Sequence, residues 1–499
     1  MDLATVSEPV LPERSVIPAL KSTRATVDKA EYVNYPSAST SYVKVGTRPV
    51  KVNFLVSGNT MLDCVNSYFC IEMKTNTFTA SLPGNIESMI QSIKLTLPYQ
   101  ANLVLEEIDN YNVLSNAVHC FELTAEQCKA NWQSADNVIP DSMRGGDATK
   151  KASARYLNLC AGNDGYRTFC FQLRNSAFLS PKMKRYLPLF LITGINVELT
   201  FAPATHLHYD PQNERWARLF DHVEGISQEM YERLTPEKKT ELQDKLKDVY
   251  HRPEPAGQAV TYELRNMRFT ARILWFNRDY LSRLESKASS AGGLNICYVS
   301  PEHQMSPSTN TRNQTIHISQ QYQSLNSVLM TCVDKQLVER KPADGTKTFK
   351  NYINEFSYRI GSRKYETQNN HPSQEAEGYM RSLLSLGRVA GSKPNSVDYI
   401  EYARSKSVFI TEFRECPGEM AGNVISGLNT QDGKNLQLSI GFKFQDGVEF
   451  LPAFVGDGEQ PDVPMSFIKE TKPENAQIHL WMFHTKMLNV SSRGVSVSQ

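Results

Sequence analysis

The sequence predicts an all-β chain of two tandem sandwiches with short helical inserts. Period-2 alternation of apolar and polar residues recurs along most of its length, as in strands with one buried and one wetter face. Two similar apolar segments, GINVELTF and DGKNLQLSIGF, close two blocks of such strands, with Ile195 and Leu436 about 240 residues apart, far too long a period for a solenoid. The composition, 40% hydrophobic and 21% charged over 499 residues, suits a globular protein with sizeable cores. That length suggests about three ordinary domains or two large all-β ones.

Residues 1–45 are rich in Ser, Thr, Pro and Ala without a sustained period, and read as an N-terminal arm, disordered alone or ordered by a neighbour. Residues 46–210 form the first predicted sandwich. Val50, Val52, Phe54 and Val56 alternate with Lys51, Asn53 and Leu55; Ile93, Leu95 and Leu97 with Ser92, Lys94 and Thr96; Phe169, Phe171 and Leu173 with Thr168, Cys170 and Gln172. Ile195, Val197, Leu199 and Phe201 close it. Helical inserts are expected at 104–118 and 124–132. Residues 211–258 change texture. Trp216, Leu219, Phe220 and Val223 fall at helical spacing, and a second helix is signalled by Thr235 as N-cap and Pro236 at its first position.

Residues 259–490 form the second predicted sandwich. Met267, Phe269, Ala271, Ile273 and Trp275 are expected on one face, then Val328, Met330 and Cys332, and Phe356, Tyr358 and Ile360. Leu436, Leu438, Ile440, Phe442 and Phe444 follow, and Ile478, Leu480 and Met482 supply a last strand. Helical inserts are expected at 278–288 and 372–388. The polar residues 491–499 form a tail.

Charge argues against nucleic-acid wrapping. Lys+Arg 54 against Asp+Glu 53 leaves a net charge of +1, without the basic excess that phosphate neutralisation needs. In the arm, Arg14, Lys21, Arg24, Lys29 and Lys44 are balanced by Asp2, Glu8, Glu13, Asp28 and Glu31. The nine cysteines form no CxxC pair and read as free, mostly buried thiols in a reducing compartment. The opening MDLATVSEPV has no apolar signal-peptide core. The most apolar run, YLPLFLITGINVELTF, is interrupted by Pro188, Gly194, Asn196 and Glu198 and is too short and polar to span a bilayer.

Five residue patterns bear on chemistry. His206, His208 and Asp210 stand at alternate positions and would share one face of a strand as metal ligands, but Pro203 breaks the ladder before them and Tyr209-Asp210-Pro211 reads as a turn. Glu106 with Glu107, or Glu375 with Glu377, would be glycosidase acids only if held across a cleft. Cys332 and His317 lack an orienting third residue, and SLGRVAGS lacks the phosphate-loop pattern. The 22 Tyr and 22 Phe read as core or subunit contacts more than a sugar-stacking surface. The expectation is therefore no catalytic, cofactor-binding or metal-binding residue and no enzymatic activity. A β-sandwich carbohydrate-binding or carbohydrate-active protein is the alternative, and a metal-dependent jelly-roll oxygenase a third option.

Four stretches in order resemble the double jelly-roll major capsid proteins of double-stranded DNA viruses, the adenovirus-hexon lineage, most nearly its polinton-like and virophage-like branch. VLEEIDNYNVLSNAV resembles the helix entering the large loop of the first roll, and RYLPLFLITGINVELTFA that roll's closing strands. YELRNMRFTARILWFNRDYLSRLESKA resembles the second roll's opening strand and the short helix after it. NEFSYRIGSRKYETQNNHPSQEAEGYMRSLL resembles the stretch where a strand ends in a Gly-Ser turn before a helix. The likeness covers about residues 46–490.

The resemblance implies two eight-stranded jelly rolls and a homotrimer acting as a pseudo-hexagonal capsomer of an icosahedral shell around double-stranded DNA. The partners would be the chain itself, neighbouring capsomers, and minor capsid and penton proteins. Specific nucleic-acid binding and a membrane span are not expected. The location would be the virion capsid, assembled in the cytoplasm or nucleus of the host cell.

Overall fold

The computed structural model describes residues 27–38, 41–76, 80–122 except 81 and 84, 164–180, 186–207, 235–236 and 260–307 except 291–292. It further describes 313–334, 353–369 except 362, 375–385, 402, 408–413, 427–431, 436–442 and 476–498 except 492–493. These residues form four antiparallel sheets, paired into two sandwiches.

In the first sandwich one sheet runs β1 (Val27–Pro36), β10 (Tyr262–Phe276), β4 (Met61–Thr75), β7 (Arg167–Phe171), with β2 (Tyr42–Val45) also on β10 and the short β8 (Leu187–Pro188) on β4. The facing sheet runs β3 (Val50–Val56), β9 (Ile195–Phe201), β5 (Ile90–Leu97), β6 (Gln100–Asp109). The alternating residues of β3, β5 and β9 turn inward as their period requires. Val52, Phe54, Val56, Ile93, Leu95, Ile195, Val197 and Leu199 are all completely buried. Phe69 packs against Phe54, Phe171 and Phe269 at ring separations of 5.3, 5.7 and 4.7 Å, tying both sheets together.

In the second sandwich one sheet runs β11 (Leu294–Pro307), β18 (Ala476–Ser491), β13 (Leu325–Asp334), β16 (Phe409–Glu412), with β19 (Gly494–Ser498) on β18. The other runs β12 (Asn313–Ile318), β17 (Leu436–Phe442), β14 (Ile353–Ile360), β15 (Arg363–Asn369). Val328, Met330 and Cys332 meet Ile478, Leu480, Met482, Phe356, Tyr358, Leu436, Leu438 and Ile440 in its core, as their alternation predicts. Among the described residues three helices longer than two turns decorate the sandwiches, beside the one-turn helix Leu189–Ile192: α1 (Tyr111–Glu122), α2 (Arg278–Ala288) and α3 (Glu375–Ser385). The α2 start is set by Asn277, whose side-chain oxygen accepts from the Tyr280 backbone N–H.

Besides the tail expected at 491–499, where Gly494–Ser498 instead pairs as β19 along β18, three expectations are corrected. First, Val27–Pro36 and Tyr42–Val45, read as arm, are strands paired along β10. Val33 and Tyr35 lean on the core, which gives the segment enough apolar burial to hold a strand. Second, Tyr262–Phe276, expected to open the second sandwich, lies in the first, between β1 and β4, with Phe269 opposite Phe69 and Ile273 opposite Leu62. Alternation fixes which residues face inward but not which sheet they face. Third, residues 104–109, expected to be helical, complete strand β6. The helix starts only after Asn110, whose φ of 51° turns the chain. The inserts at 278–288 and 372–388 are found as α2 and α3. The insert at 124–132 and, apart from Thr235 and Pro236, the helical pair at 212–250 lie outside the described residues.

Candidate functional site

The two sandwiches meet through a buried seam, and its cause is visible in β18. Ile478, Leu480 and Met482 face the second sandwich's own core, while Trp481 on the alternate face, and Leu488 and Val490 further along the strand, belong to the hydrophobic cluster of the first. Leu329 on β13 and Leu294, Ile296 and Tyr298 on β11 join that cluster. Around Trp481 and Leu329, β18 and β13 are thus buried on both faces, and the first sandwich's apolar core extends onto this sheet of the second, whose own core is a separate cluster.

Directional contacts fix the seam. The Tyr298 hydroxyl donates to the Leu105 carbonyl on β6 at 2.7 Å, and its ring lies 4.4 Å from that of Phe178. The Asn110 amide meets His303 Nδ1 at 3.2 Å, and His303 Nε2 meets His479 Nδ1 at 3.0 Å. A neutral pair satisfies this chain when Asn110 donates to His303 and His303 to His479. Burial lowers both imidazoles, His303 to about 4 and His479 to about 3, the latter also through the neighbouring His303. His479 stacks on Trp481 with ring centroids 5.7 Å apart. Further along, Phe121 of α1 meets Tyr402 edge-on at 6.1 Å, and Tyr402 meets Tyr379 of α3 at 5.3 Å.

Beside the seam, the first sandwich holds two buried carboxylates. Glu106 is wholly buried on β6 and accepts from Ser176 Oγ at 2.6 Å and the Ala177 N–H at 2.8 Å. Desolvation outweighs these bonds and raises its carboxyl to about 7. Glu87 accepts from the Tyr111 hydroxyl and from the Arg174 N–H at 3.2 Å, with the Arg174 guanidinium 3.7 Å away. Together they bind residues 174–177 to β6 and α1.

A mixed-charge groove of about 460 Å³ opens at the seam, lined among others by Lys51, Lys94, Glu107, Glu198 and His303. Four of its charges are paired, Lys51 with Glu198 at 2.7 Å and Lys94 with Glu107 at 3.1 Å, and Asp109 lines it beside them. The outer wall of the first sheet is similarly knit. Arg265 pairs with Glu72 at 2.6 Å and with Asp164, and its guanidinium covers the Tyr166 ring at 3.6 Å. Tyr166 in turn donates to Glu263 at 2.8 Å.

The residues weighed for chemistry are not brought together. Glu106 and Glu107 are consecutive on a strand and point to opposite faces, one into the core and one to Lys94. Glu377 pairs with Arg381 one turn along α3 at 2.7 Å, and the side chain of Glu375 lies outside the described residues. Cys332 is buried in the second core, which pushes its thiol up to about 12, while His317 is exposed on the facing sheet's edge strand. His206 is half-buried in a short 3-10 turn after β9, and His208 and Asp210 lie outside the described residues, as does most of SLGRVAGS. Among the described residues no three His, Cys, Asp or Glu side chains are placed to hold a metal ion. Also among them, no helix is long and apolar enough to cross a membrane. None of the described cysteines is in a disulfide: Cys64, Cys70 and Cys332 are buried, Cys170 and Cys297 half-buried. The seam residues themselves were not singled out from sequence. The signal available was the doubly apolar β18, where IHLWMF carries large side chains on both faces.

Neither a protein-family model nor a curated protein sequence matches the chain. Solved structures do. The chain superposes on the subunit of the "PBCV-1 virus capsid, quasi-atomic model" with a TM-score of 0.55 at 12% identity, covering 96% of this chain and 99% of that one. The fold is the double jelly roll of viral major capsid proteins. The double jelly roll of PBCV-1 VP54, fitted into a reconstruction of the virophage Sputnik, matches with a TM-score of 0.54 at 12% identity over 96% and 99%. That of the Faustovirus major capsid protein matches with 0.52 at 7% identity over 95% and 93%. The fold is thus shared over nearly the whole of each chain at 7–12% identity.

Proposed function

We propose that the chain is a viral major capsid protein, a structural subunit that self-assembles as a homotrimer into a pseudo-hexagonal capsomer of an icosahedral shell enclosing double-stranded DNA. The observation that carries this reading is the match of both rolls together, across 96% of the chain, to a virus capsid subunit.

The seam supports it physically. A shell subunit must transmit load between its two rolls without hinging, and a packed seam at which Tyr298 meets Phe178 and His303 meets Trp481 joins the pair. Two similar rolls side by side let three chains approximate six-fold packing. A strand of about eight residues spans about 27 Å, enough to stand across a shell. The exposed aromatics Tyr32, Tyr42 and Tyr99 and the thioether of Met305 suit contacts between subunits. Minor capsid and penton proteins are the further partners in this reading, and the host cell is the place of assembly. The groove at the seam has both of its lysines paired with carboxylates, which suits a structural role better than turnover. Negative-stain images of the purified chain test the proposal. Pseudo-hexagonal particles are the expected outcome, and a field of single two-lobed particles contradicts it.

A further inference from the structure

Cys70 and Cys170 face each other in register across β4 and the edge strand β7. Their sulfur atoms lie 3.0 Å apart. Directly opposed residues of an antiparallel pair hold their Cα atoms about 4.5–5.5 Å apart, inside the roughly 4.4–6.8 Å that a disulfide spans. The backbone is therefore already placed for a bond, and only side-chain adjustment remains.

The surroundings favour reaction. The hydrogen bond from Cys170 lowers the Cys70 thiol to about 7, helped by Arg268, which stands opposite Cys70 on β10, and by Thr270. The same hydrogen bond, with burial, raises Cys170. One thiolate shared by the pair is thus present near neutral pH, and a thiolate is the form that attacks disulfides. Cys170 is half-buried, which leaves one of the two sulfurs within reach of a small reagent.

We propose that Cys70 and Cys170 are a redox site, joined by a small-molecule disulfide such as oxidised glutathione into a cross-strand bond that pins β7 to β4. The shared thiolate attacks one sulfur of the oxidant, forming a mixed disulfide and releasing one glutathione thiolate. The second cysteine loses its proton and displaces the other glutathione, closing the protein disulfide. Two electrons leave the cysteine pair and reduce one oxidised glutathione to two glutathiones. The bond closes a loop spanning 100 positions and fixes the five-residue edge strand to which the chain returns after α1. Pinning an edge strand removes its freedom to peel away or pair elsewhere. The inference concerns this chain alone and holds whether or not the chain builds a shell.

The purified full chain is incubated with oxidised glutathione, blocked with an alkylating agent, digested and mapped by mass spectrometry, alongside a count of free thiols. The expected result is a peptide linking Cys70 to Cys170, the loss of two thiols per chain, and a Tm rise of about 5–10 °C that dithiothreitol reverses. Cys297→Ser should keep this response, and Cys70→Ser and Cys170→Ser should lose it. Separate alkylation of both cysteines after oxidation, a persistent glutathione adduct on Cys170, or a bond from Cys170 to another chain would each overturn the proposal. The wild-type map decides it even if a serine variant fails to fold.

Discussion

Removing Tyr298 tests whether the two rolls behave as one block. Its side chain is 5% exposed, its hydroxyl holds the Leu105 carbonyl at 2.7 Å, and its ring lies 4.4 Å from Phe178. Tyr298→Phe keeps the ring and leaves the buried carbonyl without this donor, a cost of about 1–2 kcal/mol. Tyr298→Leu also loses the aromatic pair and leaves a partial cavity, for a total of about 3 kcal/mol. Tyr298→Ala would cost about 5 kcal/mol, comparable to the whole stability of many domains, and should give little soluble protein. Urea unfolding followed by tryptophan fluorescence measures the two milder variants. Trp481 is buried on the seam side of β18 and Trp275 is exposed at the end of β10, so both rolls are reported. At unchanged m-value, both midpoints should fall, Leu further than Phe. A Phe variant within about 0.3 kcal/mol of wild type, with Leu no worse than Phe, would refute a packed seam.

Three further outcomes are expected. Glu106 is raised to about 7 in the fold against 4.5 when unfolded, so the unfolded chain binds fewer protons between those values and its contribution to stability falls by about 3 kcal/mol as pH rises from 4.5 to 7. The depressed histidines of the seam act in the opposite sense, losing stability as pH falls below about 6.5, so the readout is the difference between wild type and Glu106→Gln in urea midpoints across pH. A difference that does not change with pH contradicts the assignment. Gly194→Ala should cost at least about 2 kcal/mol or abolish folding, because the residue has φ +116° and a Cβ would sit 2.4 Å from the Val56 carbonyl oxygen; a thermal melt matching wild type would show the turn into β9 to be relaxed. Replacing His206 and His208 together with Ala should leave the sedimentation profile unchanged, and loss of the oligomer would show that this turn contributes to assembly.

What could be read from the sequence follows from the physics of a pleated strand. Where one face is buried, as at Val52, Phe54 and Val56 or at Leu436, Leu438 and Ile440, the period of two identifies both strand and core face. It says nothing about the partner, which is why β10 was assigned to the wrong sandwich. Alternation also overreaches at strand ends. Trp275 continues the inward series of β10, yet it is 42% exposed and its indole N–H donates to Glu31 at 3.0 Å. In β6, Val104, Leu105 and Ile108 fit a helical stripe as well as a strand, and the turn at Asn110 that separates strand from helix has no strong sequence mark. β18 hides its role for a different reason: with both faces buried its apolar run loses the period that would show which core each side chain enters. Of the three residues that alternate as possible metal ligands, His206 sits in a 3-10 turn after β9, and His208 and Asp210 lie outside the described residues. The Cys70 and Cys170 pairing, by contrast, is a matter of register across positions 100 apart, and no local pattern encodes it.

The most direct test of the capsid reading is sedimentation of the purified chain at micromolar concentration. Three chains of 56.4 kDa give about 169 kDa, and the account predicts a single species of that mass. A stable species at 56.4 kDa across the concentration range would contradict it.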